Sequence, residues 1–133
     1  MDDVKGLFFD VGGTVFDWKN TARDHIQQLA DERGQSIDSE AFAIAWRGEM
    51  FKIHTQVRQG NQPWMNADDM HLQALANMTT GYPLLNRIDN ASLVKSTWHH
   101  LQPFPGAPQA IDRLKTRYTV VVLTILSWES IVN

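Results

Sequence analysis

A carboxylate closes an apolar run near the amino terminus: Val4-Lys5-Gly6-Leu7-Phe8-Phe9 leads into Asp10, and Val11-Gly12-Gly13-Thr14-Val15 follows. A short apolar run that stops at an acid and two glycines reads as a strand entering a tight turn. At such a tip the glycines let the backbone approach a ligand closely, and successive N–H groups can form an anion-binding nest. An Asp held there can attack an electrophilic carbon or phosphorus and form a covalent ester, which splits one difficult step into two. The same residue type also caps turns with no chemistry at all, and the Asp-Val-Gly-Gly signal taken alone favours that plainer reading.

Two further sets of side chains could share this site. Arg47, Phe51, His54 and Arg58 form a stripe at helical spacing, and a cationic stripe facing a cleft suits a small carboxylate, whereas facing water it is only a solvated surface. Far along the chain, the β-branched run from Tyr118 to Thr124 reads as a second buried strand, with Thr124 at its carboxyl end and Ser127 three residues on. Asn20, Thr21 and Trp64 could also line a cleft. The adjacent His99 and His100 point about 100° apart on a helix, so they are poor joint ligands for one metal and read as surface or capping residues. The five tryptophans read as core or cleft wall.

The elements that must position these groups follow from periodicity. Helical patterns run from Asn20 or Thr21 to Arg33, from Ser39 to Gln59, from Asn66 to about Met78, from about Asn90 to Leu101, and from near Pro108 to Arg117. The second of these is the most regular, with Phe42, Trp46, Met50, Ile53 and Val57 recurring every three or four positions. Pro103-Phe104-Pro105-Gly106 is a breaker and the best boundary between units. Strand, four helices, helix, strand implies an α/β fold with two parallel strands, covered on both faces, and a helical insertion in the long connection. In such sheets ligands bind beyond the carboxyl ends of the strands, where Asp10 and Thr124 fall.

Bulk properties narrow the classes. The 133 residues make one compact unit the default. A net charge of -3 gives no pull toward nucleic acid or anionic membranes. The absence of cysteine excludes a disulfide framework and fits a cytoplasmic setting. The apolar stretch Val120 to Leu126 is too short to span a bilayer, and the acidic opening Met1-Asp2-Asp3 is unlike a signal peptide.

The apolar strand, Asp10, Gly13-Thr14 and Phe16-Asp17 together resemble the first motif of the haloacid dehalogenase superfamily. The stretch from Trp98 to Gly106, followed by Arg113 to Tyr118 and a strand ending in Thr124, resembles that family's return from cap to core. Within the superfamily the chain is most similar to the L-specific 2-haloacid dehalogenases, whose cap carries an Arg after a Trp, as Trp46-Arg47 does here. The resemblance implies a Rossmann-like core, 1–16 with 103–133, and a helical cap, 17–102. It implies Asp10 as nucleophile with Thr14 beside it. It also implies Thr124 as the second-motif hydroxyl, with Ser127 as the alternative register, and Val11, Gly12 and Arg47 as substrate-binding positions.

The implied reaction is hydrolytic dehalogenation of a small 2-haloacid to a 2-hydroxy acid, without a metal or other cofactor. The superfamily's phosphatases instead use a second Asp two residues after the nucleophile and bind magnesium through the nucleophile and the backbone carbonyl at that later position, here Asp10 and Gly12. Gly12 lacks the phosphatase acid, and also lacks the aromatic residue that dehalogenases place there. The family's third-motif Lys and its fourth motif lie beyond the second, and only nine residues follow Thr124. The expectation is therefore a truncated chain, in which a missing Lys would greatly lower the rate. Expected partners are a small carboxylate substrate, and a second copy or a complementing C-terminal fragment. A phosphatase and a non-catalytic interaction module are the alternative functions. Asp10-Val11-Gly12-Gly13-Thr14 is also similar to the phosphate loop of the actin and sugar-kinase fold, but that loop turns directly into an antiparallel strand, and this chain turns into a helix.

Overall fold

The computed structural model describes residues 4–132; the acidic opening Met1-Asp2-Asp3 and Asn133 lie outside the described residues. The helical pattern becomes four helices: α1 (Trp18–Glu32), α2 (Ser39–Arg58), α3 (Ala67–Met78) and α4 (Asn90–Trp98). Each starts at a polar side chain that accepts a hydrogen bond from an otherwise unpaired backbone N–H of the first turn. Asp17 accepts from Asn20 at 3.1 Å, Asp38 from Ala41 at 2.9 Å, Asn66 from Asp69 at 2.9 Å and Asp89 from Ala91 at 3.0 Å. The Asp17 cap starts α1 two to three residues before the expected point. A five-residue 3-10 turn, Pro83–Arg87, lies where only a break was expected, and it buries Leu84 and Leu85. The α4 helix ends at Trp98, short of the expected Leu101, with His99 as its cap.

The apolar faces of these helices meet in one core. Ile26, Phe42, Trp46, Met50, Leu75 and Trp98 are fully buried. Burial of each such side chain contributes roughly 1.5–3 kcal/mol. The Trp46 indole anchors the centre: its ring meets Trp98 edge-on at 5.3 Å, and its N–H donates to the His71 carbonyl at 3.0 Å.

The second layer is smaller. Strands β1 (Gly6–Phe9) and β2 (Thr119–Val122) pair in parallel with Phe9 opposite Val122, and α5 (Ala107–Lys115) packs against β2. The expectation that both strands are covered on each face is corrected: Phe8 is 69% exposed and Leu123 68%, and α5 buries no residue fully. Alternation puts Phe8, Val121 and Leu123 on one face of the sheet, and no described element packs over it. The second strand also stops at Val122, so Thr124 lies two residues beyond its end instead of at its tip. A short sixth helix, α6 (Trp128–Val132), follows where none was expected.

Two connectors join the layers by running past one another. Phe16 bridges Pro103 in antiparallel fashion, Phe104 N–H donates to the Val15 carbonyl at 2.8 Å, and Asp17 N–H donates to the Gln102 carbonyl at 2.7 Å. The long excursion through α1–α4 thus leaves and returns at adjacent points, beside the turn that carries Asp10.

Candidate functional site

The turn after β1 is wound around one carbonyl. Val11, itself buried, accepts from the backbone N–H groups of Thr14, Val15 and Phe16 at 3.3, 2.9 and 2.8 Å. Gly13 closes this turn at φ +102°, a conformation that disfavours any side chain, and a Cβ there would stand 3.3 Å from the Trp18 indole nitrogen. Asp10 is left exposed at the mouth, and the Thr14 hydroxyl donates to its carboxylate at 3.4 Å, a long and weak bond.

Arg47 reaches this turn from α2. It is only 7% exposed, and its guanidinium lies among three aromatic rings, 4.7 Å from the centre of Phe51, 5.3 Å from Trp98 and 5.5 Å from Trp18. These are cation–π distances. One terminal nitrogen, Nη2, stands 3.4 Å from where a Gly12 Cβ would be, and the other, Nη1, is buried without a hydrogen-bond partner. Burial pulls the Arg47 group down to about 10, and the nearby negative charge of Asp10 opposes that pull. It remains a cation at neutral pH. The gap expected at Gly12 is therefore closed: Arg47 Nη2 and the Leu126 side chain stand 3.4 and 3.8 Å from where its Cβ would be.

The two second-motif candidates differ. The Thr124 hydroxyl is partly buried and accepts from Leu126 N–H at 3.2 Å. Ser127 is buried, and its hydroxyl accepts from Ser130 N–H at 3.2 Å and shares a 2.8 Å hydrogen bond with the Ser130 hydroxyl. Neither has a hydrogen bond to Asp10. Ser127 does line a cavity of about 620 Å³ between the end of α2 and the start of α6, together with His54, Arg58, Trp64, Met65 and Leu126. The stripe on α2 thus divides: Arg47 stands beside Gly12 with Phe51 against its guanidinium, and His54 and Arg58 line the cavity. Of the other cleft candidates, Trp64 lines that cavity, while Thr21 accepts from Gln102 N–H at 3.1 Å and helps to fasten the connectors.

One group escaped sequence reading. His71 is fully buried on α3, stacked on Trp98 at 3.9 Å, with neither ring nitrogen hydrogen-bonded. Burial first, and the Arg47 charge second, hold it well below the usual histidine range, so it is neutral. The available signal was its place in the buried row Ala67, Met70, Ala74 and Leu75. His99, read as a surface or capping residue, both caps α4 and meets Asp68 at 2.8 Å.

A divalent cation fits this site poorly. It would have to sit between the Asp10 carboxylate and the Gly12 backbone, against the Arg47 guanidinium. Among the described residues no three His, Cys, Asp or Glu side chains converge to complete a ligand set. No helix among them is long and apolar enough to cross a membrane.

No family model matches the sequence, and no curated protein matches it. Solved structures do match. The class they define is the haloacid dehalogenase fold, an α/β core with helices inserted after its first strand. More particularly, the chain is similar to the defluorinating L-2-haloacid dehalogenase Rha0230, with a TM-score of 0.85 and 22% identity over 96% of this chain and 53% of that one. It is likewise similar to the L-2-haloacid dehalogenase PA0810, with a TM-score of 0.81 and 25% identity over 96% and 55%. A third likeness is to the L-2-haloacid dehalogenase of Xanthobacter autotrophicus with chloropropionic acid covalently bound, with a TM-score of 0.73 and 19% identity over 96% and 49%. The chain therefore has the fold of these enzymes and spans about half their length.

Proposed function

We propose that the chain carries the nucleophile half of a hydrolase that removes halide from small 2-haloacids. In this reading Arg47 holds the substrate carboxylate, and an Asp10 oxygen attacks C2 from the side opposite the halogen. The C–O bond forms as the carbon–halogen bond breaks, halide leaves with the bonding pair, and C2 inverts. Water then attacks the aspartyl ester carbonyl, releasing the 2-hydroxy acid, one proton and the free Asp10 carboxylate. Thr14 orients the Asp10 carboxylate, and the Val11 and Gly12 backbone lines the substrate's approach. Of the two hydroxyls, Ser127 is the better candidate for the second motif. It lines the cavity next to Leu126, which itself touches the Gly12 position. No step is routed through magnesium.

The observation that carries this reading is the buried, half-unpartnered cation of Arg47 above Gly12, close enough to Asp10 for the two charges to interact. A buried cation lacking partners favours an anionic ligand that supplies them. The covalently bound chloropropionic acid in the Xanthobacter neighbour supports an ester route by analogy of fold. The segment 17–102 acts as cap and 1–16 with 103–133 as core, in a cytoplasmic setting. Proposed partners are the small carboxylate and further polypeptide, a second copy or a complementing segment, over Phe8 and Leu123.

Halide release from 2-chloropropionate tests the assignment. The wild-type chain should release halide above the uncatalysed background. Asp10→Asn should abolish that release, and Arg47→Gln should lower it on the order of a hundredfold. Equal silence of the wild type and Asp10→Asn, with both folded and monodisperse, overturns the catalytic reading for this chain and leaves an interaction module.

A further inference from the structure

The cavity between α2 and α6 is far larger than a two- or three-carbon acid needs. At about 620 Å³ it falls within the ~300–1,000 Å³ range of sites that enclose whole drug-sized ligands. Its walls include Val57, Met65, Met70, Leu126 and the two tryptophans Trp64 and Trp128. Both indoles are exposed, Trp64 to 82%. A large flat apolar side chain held in water beside a cavity whose lining is more apolar than polar, with His54, Arg58 and Glu129 as its charged or titratable edge, is poised to cover something that enters it.

The cavity is next to the Asp10 turn. Leu126 is the shared wall: it lines the cavity, and its methyl carbons stand 3.8 and 3.9 Å from the Gly12 Cβ position, the same position that Arg47 Nη2 approaches at 3.4 Å. An acid whose carboxylate is held by Arg47 would thus have Leu126 at its flank and the cavity behind it.

We propose that this cavity is the subsite for the substituent on C2, and that the substrates suited to the chain are 2-haloacids with a bulky apolar or aromatic substituent. The proposal rests on the reading of Arg47 as the carboxylate holder. Trp64 closes over the substituent, and Leu126 sets the angle at which it leaves the Asp10 turn.

Affinities of the wild-type chain for two product-like acids, lactate and 3-phenyllactate, measured by titration calorimetry, test this. The phenyl acid should bind on the order of tenfold or more tightly, because its ring leaves water for the cavity. Trp64→Ala, a change at an exposed side chain, should remove most of that advantage, weakening the phenyl acid far more than lactate. Equal affinity for the two acids, or equal weakening of both by Trp64→Ala, overturns the subsite. Arg47→Gln separates the two ideas. If binding depends on Arg47 but not on substituent size, the subsite fails and the carboxylate reading stands. If Arg47→Gln leaves both affinities unchanged, the carboxylate reading fails and takes the C2 assignment with it. Binding of neither acid overturns both.

Discussion

On one side of the crossed connectors, Ile26, Phe42, Trp46, Met50 and Trp98 are sealed from water. On the other, Phe8 and Leu123 keep about two thirds of their surface exposed. Both regions are made from apolar residues at the proper period for their secondary structure. The difference is the number of faces available to receive them. Four helices enclose a volume, and α1 contacts α2 and α4 while α3 contacts the same two, so every apolar stripe finds another. Two strands and one helix enclose nothing, and one face of the sheet is left without a partner. The helical region can therefore hold a buried cation in place, while the strands supply only the carboxylate it faces.

That contrast can be broken at its strongest point first. Trp46→Ala removes the ring at the centre of the helical core and the hydrogen bond to the His71 carbonyl. It should lower unfolding free energy by about 3–5 kcal/mol, read as a shift of the urea midpoint by circular dichroism. A loss below about 1 kcal/mol would mean that the helices are not the stable region.

Acid sharpens the comparison next. His71 is neutral in the fold because its proton affinity is lowered, so the unfolded chain binds a proton below the ordinary value of 6.5 and the folded chain does not. Stability from this group is fully present above pH 6.5 and falls as pH drops below it, by at most about 1.4 kcal/mol per pH unit. His25, lowered chiefly by its own burial, adds to the same trend. Denaturation midpoints at pH 7.5 and 5.0 should differ accordingly, and His71→Phe should remove most of the difference. A wild-type midpoint independent of pH across that window would contradict the buried, neutral assignment.

The smallest effect belongs to the sheet. Phe8→Lys replaces an exposed ring and should change stability by no more than about 0.5 kcal/mol. It should also reduce self-association measured by analytical ultracentrifugation, since it breaks the uncovered apolar patch of the sheet. A destabilisation rivalling Trp46→Ala would show that Phe8 is covered in solution.

The caps at Asn66 and Asp89 and the period of Phe42, Trp46 and Met50 were legible because each is a local signal of a few residues. Arg47 was legible as a candidate, but its cage was not, because Trp18, Phe51 and Trp98 come from three separate helices. The α2 stripe could be read as one cationic face, yet the fold places Arg47 beside Gly12 and Arg58 in the cavity on the far side of Leu126. Thr124 was expected at the tip of β2 and lies beyond it, and the preference proposed for Ser127 rests on the cavity that it lines. Strand ends depend on pairing, and pairing stops with Phe9 and Val122.

By itself, the sequence determined the order of the two strands and of α1–α5, the tight glycine turn after Asp10, and the likeness to the haloacid dehalogenases at the level of fold. Periodicity, capping and glycine conformation are properties of neighbouring residues, so they survive without any knowledge of the rest. The tertiary structure alone decided that Arg47 is buried and faces Gly12, that His71 is neutral inside the core, and that Leu126 separates the Asp10 turn from a large cavity. Each of these depends on distances between residues far apart in the chain, which only the packed arrangement of helices fixes.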